Sequence, residues 1–600
     1  MGGTSGVIVG VGGSAGDGIA STGETFAKIC ARHGLHVYAY NSYQSVIRGG
    51  HVYMQIRSAP EKIWTHGNHP QLIIALNQDT VNRHARDIAP GGGILFNSDK
   101  ITVQPDQLPK DVQAYGLPVL QLAKSPLQQN VVALGALMYL LDTKIEVLTE
   151  LLAQTFARKG EVVIAQNTQA AQAGYAYAQA HFGAPNRPLH LDRGTKRRML
   201  LTGNQVFAVG SLVAGCKFYS AYPMTPASSI LHTLAKYAAN NGMVLKQAED
   251  EIAAINMAIG AGHVGVRAMT GTAGGGFALM TEAVGMAGMT ETPVVVIEVQ
   301  RGGPSTGLPT KTEQGDLFQV FGASQGDFPK VILAPRTIEE CYPLIGEAFN
   351  LAEKYQCPVL IISDLLLSEH QETVESLPAS LPIDRGAVVN GAVSETEGYK
   401  RFAITPSGIS PRALPGHPGT LYTTASDEHD EDGIVISDVF SDTAKRFHMM
   451  NKRMRKMDGI LQELPPPKIE GPARADLTLV GWGSTYNVLR EAMESINATG
   501  GRQVNLLTIR NLWPFQTEAV TKLLTAAKQT LIVEVNYSGQ LARFIRMETG
   551  IAMQHRLAKY DGEPFTTDQV LDTAHAILAG KETRPVIAVY DESPQAAAHV

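Results

Sequence analysis

Residues 293–310 pass from an apolar run, Pro293–Ile297 with Val299, through Gln300 and Arg301 into a loop rich in turn residues, Gly302 to Thr310. An apolar run bounded by turn signals reads as a buried strand. It commits this part of the chain to an open α/β sheet and puts Arg301 at a carboxyl strand end, where such sheets hold ligands. Ser305, Thr306 and Thr310 follow closely. A guanidinium among hydroxyls suits a small carboxylate, because arginine grips both oxygens at once. The same letters also fit a solvated surface loop.

The pattern of strand, glycine loop and helix recurs along 600 residues, enough chain for several domains. Val7–Val11, the loop Gly12 to Gly18 and a helix to about His33 open the first region. Strands at Val37–Tyr40, Leu72–Leu76 and Ile94–Phe96 continue it. This predicts a doubly wound domain over residues 1–185, followed by a polar linker, Ala184–Lys196. A second α/β domain is expected over 197–440. It starts with a helix that Asn204 is placed to cap, and has strands at Lys217–Ala221, Val264–Met269, Val294–Val299, Val331–Ala334 and Val359–Ile362. A linker with a basic helical segment, Lys445–Lys456, spans 441–470. The last α/β domain, 471–600, has strands at Leu477–Val480, Val504–Ile509 and Thr530–Val535. The fold class is α/β, three domains with doubly wound or open parallel sheets.

Net charge is −6 with no long basic run, which argues against nucleic acid as a partner. Met269–Met289 is uncharged except for Glu282, but its Gly and Thr content reads as a glycine loop entering a small-residue helix, not a membrane span. The N-terminus lacks the basic and apolar segments of a signal peptide. Cys30, Cys216, Cys341 and Cys357 lie far apart with no CxxC pair. That points to a reducing cytoplasm and to a chain that carries no iron–sulfur cluster itself.

Several motifs carry two readings. Gly271 to Gly276 precedes a helix, so its amides form either an anion site or a close helix–sheet contact. Glu249, Asp250 and Glu251 lead an apolar helix; they are caps matched to the helix dipole, or one is a functional carboxylate in apolar surroundings. In Tyr222-Pro223-Met224-Thr225-Pro226, two prolines fix the backbone and aim Thr225. The first glycine loop approximates a dinucleotide fingerprint, and tight packing explains it equally well. The acidic run Asp427 to Asp432 around His429 fits a metal site or, more simply, a solvated or interface loop.

Taken in order, five segments resemble the α subunit of 2-oxoacid:ferredoxin oxidoreductases, most closely the 2-oxoglutarate members. They are residues 203–230, 249–262, 271–282, 300–310 and 426–433. Residues 43–51 and the first glycine loop resemble that family's γ domain, fused at the N-terminus. The expected domains are then a γ-like domain, a pyrimidine-type thiamine-diphosphate domain and a transketolase C-terminal-like domain. Met224 replaces the family's usual isoleucine, and Ser14-Ala15 stands where the γ loop usually has glutamine.

The resemblance implies coenzyme-A-dependent oxidative decarboxylation of 2-oxoglutarate to succinyl-CoA and CO₂, reversible, with electrons passing to ferredoxin. A broad-specificity, pyruvate or branched-chain 2-oxoacid enzyme and a transketolase-like transferase are the alternatives. Thiamine diphosphate is shared with a β subunit that holds Mg²⁺ and a [4Fe-4S] cluster; coenzyme A is co-substrate; an (αβ)₂ heterotetramer is expected, with no metal on this chain. By position, Glu251 corresponds to the catalytic glutamate on the aminopyrimidine, chosen over its neighbours by its spacing to Gly260-Ala261. Tyr222, Pro223 and Gly274 join it in cofactor binding, and Thr225, Arg301 and Thr306 hold the substrate. Ser45 and Arg48, in the loop Ser45–Gly50, are assigned to the substrate's distal carboxylate.

Overall fold

A computed structural model describes residues 6–45, 49–184, 197–393, 398–436, 442–581 and 586–589. Three sheets organise them, each flanked by helices.

The first sheet has eight strands. Gln113–Leu117, Gly93–Asn97, Leu72–Ala75 and Val7–Ala15 run parallel. Gly49–Ala59, His36–Ser42, Gln371–Val374 and Met199–Leu201 continue it through antiparallel pairs. Thus two strands from beyond residue 197 complete the first sheet. Val7, Val9 and Val11 alternate into the core as a half-buried strand should. Gly12 to Ala15, expected in a loop, instead extend that strand. The reason is its antiparallel ladder with Gly49–Ala59, which runs on to Ala15; crowding explains the glycines, since a Cβ on Gly10 would strike the Tyr53 ring, and one on Gly12 the Thr80 side chain. The turn itself is shorter, with Gly16 at φ 103° and Gly18 at φ 78°, conformations that favour glycine. Tight packing accounts for this glycine run.

The second sheet has seven strands in the order Asn511–Trp513, Val331–Leu333, Pro358–Asp364, Val294–Gln300, Ala268–Thr272, Phe218–Ala221 and Val244–Gln247. All neighbours are parallel except Asn511–Trp513, which comes from the last third of the chain. Every residue of Val294–Gln300 is buried, so the apolar run lies inside a sheet covered on both faces. The third sheet, Ile469–Glu470, Val504–Thr508, Leu477–Gly481, Thr530–Glu534, His555–Lys559 and Ile587–Val589, is parallel apart from its first strand. The helix Gly203–Val213 is capped by Thr202 in a capping box with Gln205, not by Asn204.

The acidic run and the basic helix, separate in the sequence, meet. Arg453 Nη2 donates to both Glu428 oxygens, at 2.8 and 2.7 Å, Arg446 pairs with Glu428, and Lys445 Nζ lies 3.3 Å from Asp430. His429 is buried against Phe402, ring centroids 4.1 Å apart. The run is therefore a clasp for the helix Thr443–Met454. Below it, Lys452 and Lys456, both fully buried, close on Glu291. The four cysteines are buried free thiols.

Candidate active site

Four neighbouring strands of the second sheet deliver the candidate residues from their carboxyl ends. Val244–Gln247 leads to Glu251, Phe218–Ala221 to Tyr222–Pro226, Ala268–Thr272 to Gly274–Gly276, and Val294–Gln300 to Arg301. The sheet order brings together what the sequence scatters over some eighty residues.

Arg301, Gly274 and Thr306 line one cleft of about 700 Å³, with Met224, Glu313, Asp316, Gln319, Asn536 and Gln540. Arg301 Nη1 donates to the backbone carbonyl of Thr225 at 2.6 Å, so the proline-braced turn anchors the guanidinium through its main chain. Thr306 is exposed at the rim. The turn is closed by Leu308 N donating to Gly302 O at 2.8 Å, with Gly307 at φ 51°. Thr310 is buried and donates to Tyr43 O at 2.8 Å. Lys311 donates to Ser42 Oγ at 2.7 Å and pairs with Glu563. Gln314 N donates to Val535 O at 2.7 Å. The loop is thus tied to the first sheet's region on one side and to the third sheet's on the other.

Glu251 opens the helix Glu251–His263, whose N-cap is Asp250, accepting from Ala253 N at 2.7 Å. The split between cap and functional carboxylate is resolved by position. Asp250 caps and Glu249 is exposed, whereas Glu251 is 4% exposed and its Oε1 has no hydrogen-bond partner among the described residues. A buried polar atom without a partner is costly, so such an atom points to a missing ligand group. Gly276 is what admits it: a Cβ there would sit 2.6 Å from Glu251 Oε1. Glu251 therefore stands against the glycine turn, beside the cleft rather than in its lining. Gly274 likewise leaves room for the Asp316 carboxyl. Tyr222 is 40% exposed and Pro223 half-buried, flanking Met224 at the cleft edge. Ser45 is exposed; Arg48 lies outside the described residues.

Sequence reasoning missed several residues here. Asn204 is buried and donates to Pro226 O at 2.9 Å and Ser229 Oγ at 2.8 Å, fixing the turn that bears Thr225. Glu298, fully buried on the central strand, has its carboxyl pushed well above the usual range by burial, then by Asp316 and Asp364. Burial raises Asp316 to about 6, with Glu298 and Arg301 pulling the other way. Glu313 rises to about 7 through burial and the charge of Asp316. One glutamate inside an apolar run was the only signal available.

Three family models match the chain. "Pyruvate ferredoxin/flavodoxin oxidoreductase" covers residues 8–177, "Pyruvate flavodoxin/ferredoxin oxidoreductase, thiamine diP-bdg" covers 209–447, and "Pyruvate:ferredoxin oxidoreductase core domain II" covers 475–570. A Sulfolobus 2-oxoacid:ferredoxin oxidoreductase subunit alpha is 31% identical over 96% of this chain and 98% of its own length. The 2-oxoglutarate oxidoreductase subunit KorA of Mycobacterium tuberculosis is 31% identical over 96% and 92%. Among solved structures, 2-oxoglutarate:ferredoxin oxidoreductase from Magnetococcus marinus, with 2-oxoglutarate, coenzyme A and succinyl-CoA bound, superposes with a TM-score of 0.88. It is 35% identical, covering 95% of this chain and 99% of that one.

Proposed function

This chain belongs to the α subunits of the 2-oxoacid:ferredoxin oxidoreductases, and within that family we propose 2-oxoglutarate as its substrate. The products are succinyl-CoA and CO₂, with electrons leaving for ferredoxin through a [4Fe-4S] cluster on a β subunit in an (αβ)₂ assembly. The carrying observation is the pairing of a guanidinium in an open cleft with a buried, unpartnered carboxylate oxygen behind the adjoining glycine turn. The relatives' names and the 2-oxoglutarate bound in the Magnetococcus marinus enzyme support the choice of acid.

The residues present fit thiamine diphosphate. Glu251 Oε1 is an orphan that a ring nitrogen of an aminopyrimidine would satisfy, and Gly276 keeps that approach open. When bound, the cofactor supplies the electron sink that a 2-oxoacid needs to lose CO₂. Glu251 holds and exchanges the proton at that ring nitrogen, with Tyr222, Pro223 and Gly274 shaping the seat. Arg301, fixed by Thr225, grips the carboxylate next to the oxo group, and Thr306 closes the rim. The Mg²⁺ and the diphosphate belong to the β subunit. Ser45 and Arg48 take the distal carboxylate; the bond from Thr310 to Tyr43 O, which ties the substrate loop to the chain two residues before Ser45, supports this.

The test is kcat/KM of the α–β complex for 2-oxoglutarate, pyruvate and 2-oxobutyrate in coenzyme-A-dependent ferredoxin reduction. A clear preference for 2-oxoglutarate, lost selectively in Arg48→Ala, is expected. Equal use of all three acids replaces the proposal with a broad-specificity enzyme. A complex without cluster absorption that acts on sugar phosphates replaces it with a transketolase-like transferase.

A further inference from the structure

Lys311 stands where the three regions of the chain meet beside the cleft. Its main chain closes the loop that Arg301 opens. Gly302 N, next to Arg301, donates to Lys311 O at 3.1 Å, and Lys311 N donates to Leu308 O at 3.1 Å. Its side chain reaches the other two regions. Nζ donates at 2.7 Å to Oγ of Ser42, the last residue of the strand His36–Ser42, and pairs with the Glu563 carboxylate. Glu563 follows His555–Lys559, a strand of the third sheet.

Glu563 is held without Lys311. The buried Tyr40 donates from its hydroxyl to Oε2 at 2.7 Å, Ser42 Oγ donates to Oε1 at 3.1 Å, and Glu563 N donates to Asp561 Oδ1 at 3.0 Å. The Ser42 hydroxyl thus accepts from the ammonium and gives its one proton to the carboxylate, as a hydroxyl can. Gly562 is what lets the lysine come close, since a Cβ there would sit 2.8 Å from Lys311 Cβ. The residues on either side are fastened too. Thr310 donates to Tyr43 O at 2.8 Å, and Thr312 N donates to Gly562 O at 3.1 Å. The lysine and glutamate side chains are 24% and 29% exposed. An isolated exposed ion pair contributes little; one set in a network of fixed geometry contributes more.

Resting on the reading of Arg301 as the substrate's anion site, we propose that Lys311 and Glu563 are a positioning pair that locks the root of the Arg301 loop to the first and third sheets. The bond to Thr225 O fixes the tip of the guanidinium, and the pair fixes the main chain beside its Cα. A forked grip on a carboxylate is tight only when the fork is already in place, because binding otherwise has to order it. The carboxylate beside the oxo group is common to every 2-oxoacid, so loosening the root should weaken all of them alike. Glu251 starts a helix fed by a different strand, so the cofactor's seat should not feel the change.

The test is KM and kcat of the α–β complex for each 2-oxoacid that wild type turns over, beside thiamine diphosphate titration and the denaturation midpoint. Lys311→Met and Glu563→Gln should each raise KM about tenfold, the worth of one charge-assisted hydrogen bond, and leave kcat near wild type. The double variant should be no worse than either single one, because the second change removes a partner already lost. Lys311→Arg, which keeps a cation facing Glu563, should recover most of the loss. An unchanged KM in both single variants overturns the proposal, and so do effects that simply multiply in the double variant. A rise in KM matched by falls in kcat, thiamine diphosphate affinity and midpoint also overturns it, leaving a merely structural contact. No turnover of any 2-oxoacid by wild type refutes the functional reading itself, whereas turnover with KM indifferent to the pair refutes the pair alone.

Discussion

Glu291 and Glu298 stand on either side of the start of one strand and are equally buried, yet they are held in opposite states. Burial alone would raise both. At Glu291 it is outweighed by Lys452, whose Nζ lies 2.5 Å away, by Lys456 and by Arg401, so that carboxyl stays far below the usual range. At Glu298 no cation answers among the described residues, and the neighbouring acids push it further up. Glu291 fastens the basic helix to the sheet. Glu298 faces only other acids, so burial holds its carboxyl well above the usual range. What a buried glutamate does is decided by which side chain the fold aims at it. Glu251 is a third case, its Oε1 without a hydrogen-bond partner among the described residues.

Replacing each glutamate by glutamine separates the three. Glu251→Gln should fold normally and lose turnover by about 10²- to 10⁴-fold, the usual worth of a general acid–base group. The exposed Glu249→Gln should match wild type, and steady-state rates of the two complexes decide between them. Glu291→Gln should leave two buried ammonium groups without a counter-charge, costing about 3–5 kcal/mol, visible as a large fall in the denaturation midpoint. A mild effect there would erase the contrast with Glu298. The clamp should also survive mild acid: a depressed carboxyl contributes at pH above its unfolded value and is lost only as pH falls towards the folded one.

Arg301→Lys keeps the charge and loses the planar fork. A lost charge-assisted hydrogen bond of about 1.5–3 kcal/mol predicts a drop in kcat/KM of roughly 10- to 150-fold, with thiamine diphosphate affinity unchanged in titrations of the complex. Glu298→Gln should have the smallest effect on stability, within about 1 kcal/mol in mild acid. The sign turns favourable as pH rises. Wild type has to keep a proton that its unfolded chain would release, and glutamine does not. Parallel denaturation curves at two pH values measure this.

The cleft's main parts were legible because they lie where a strand ends. Arg301 and Gly274 follow apolar runs directly, and Glu251 starts a helix that the sequence announces. Glu298 and Asp316 were not legible. Glu298 interrupts an apolar run too briefly to disturb its pattern, and Asp316 sits in a loop eighteen residues on, brought back only by the turn through Gly307. The strand Gly49–Ala59 passed as part of a loop motif, because its opening Gly49-Gly50 masks the alternation that follows. Met199–Leu201 and Gln371–Val374 are three and four residues long, and their pairing depends on contacts across some 170 positions. No local pattern encodes that.

Those two short strands also govern how the chain can be divided and in what order it can be made. A fragment ending at residue 184 would contain every helix of the first region, yet leave His36–Ser42 as a bare edge, its amides ready to pair with any strand nearby. During synthesis the first sheet cannot be closed until residue 374 has emerged, by which time most of the second sheet is available too. The region written first is therefore finished late, and the chain is safest from sticking to its neighbours only after its middle has been translated.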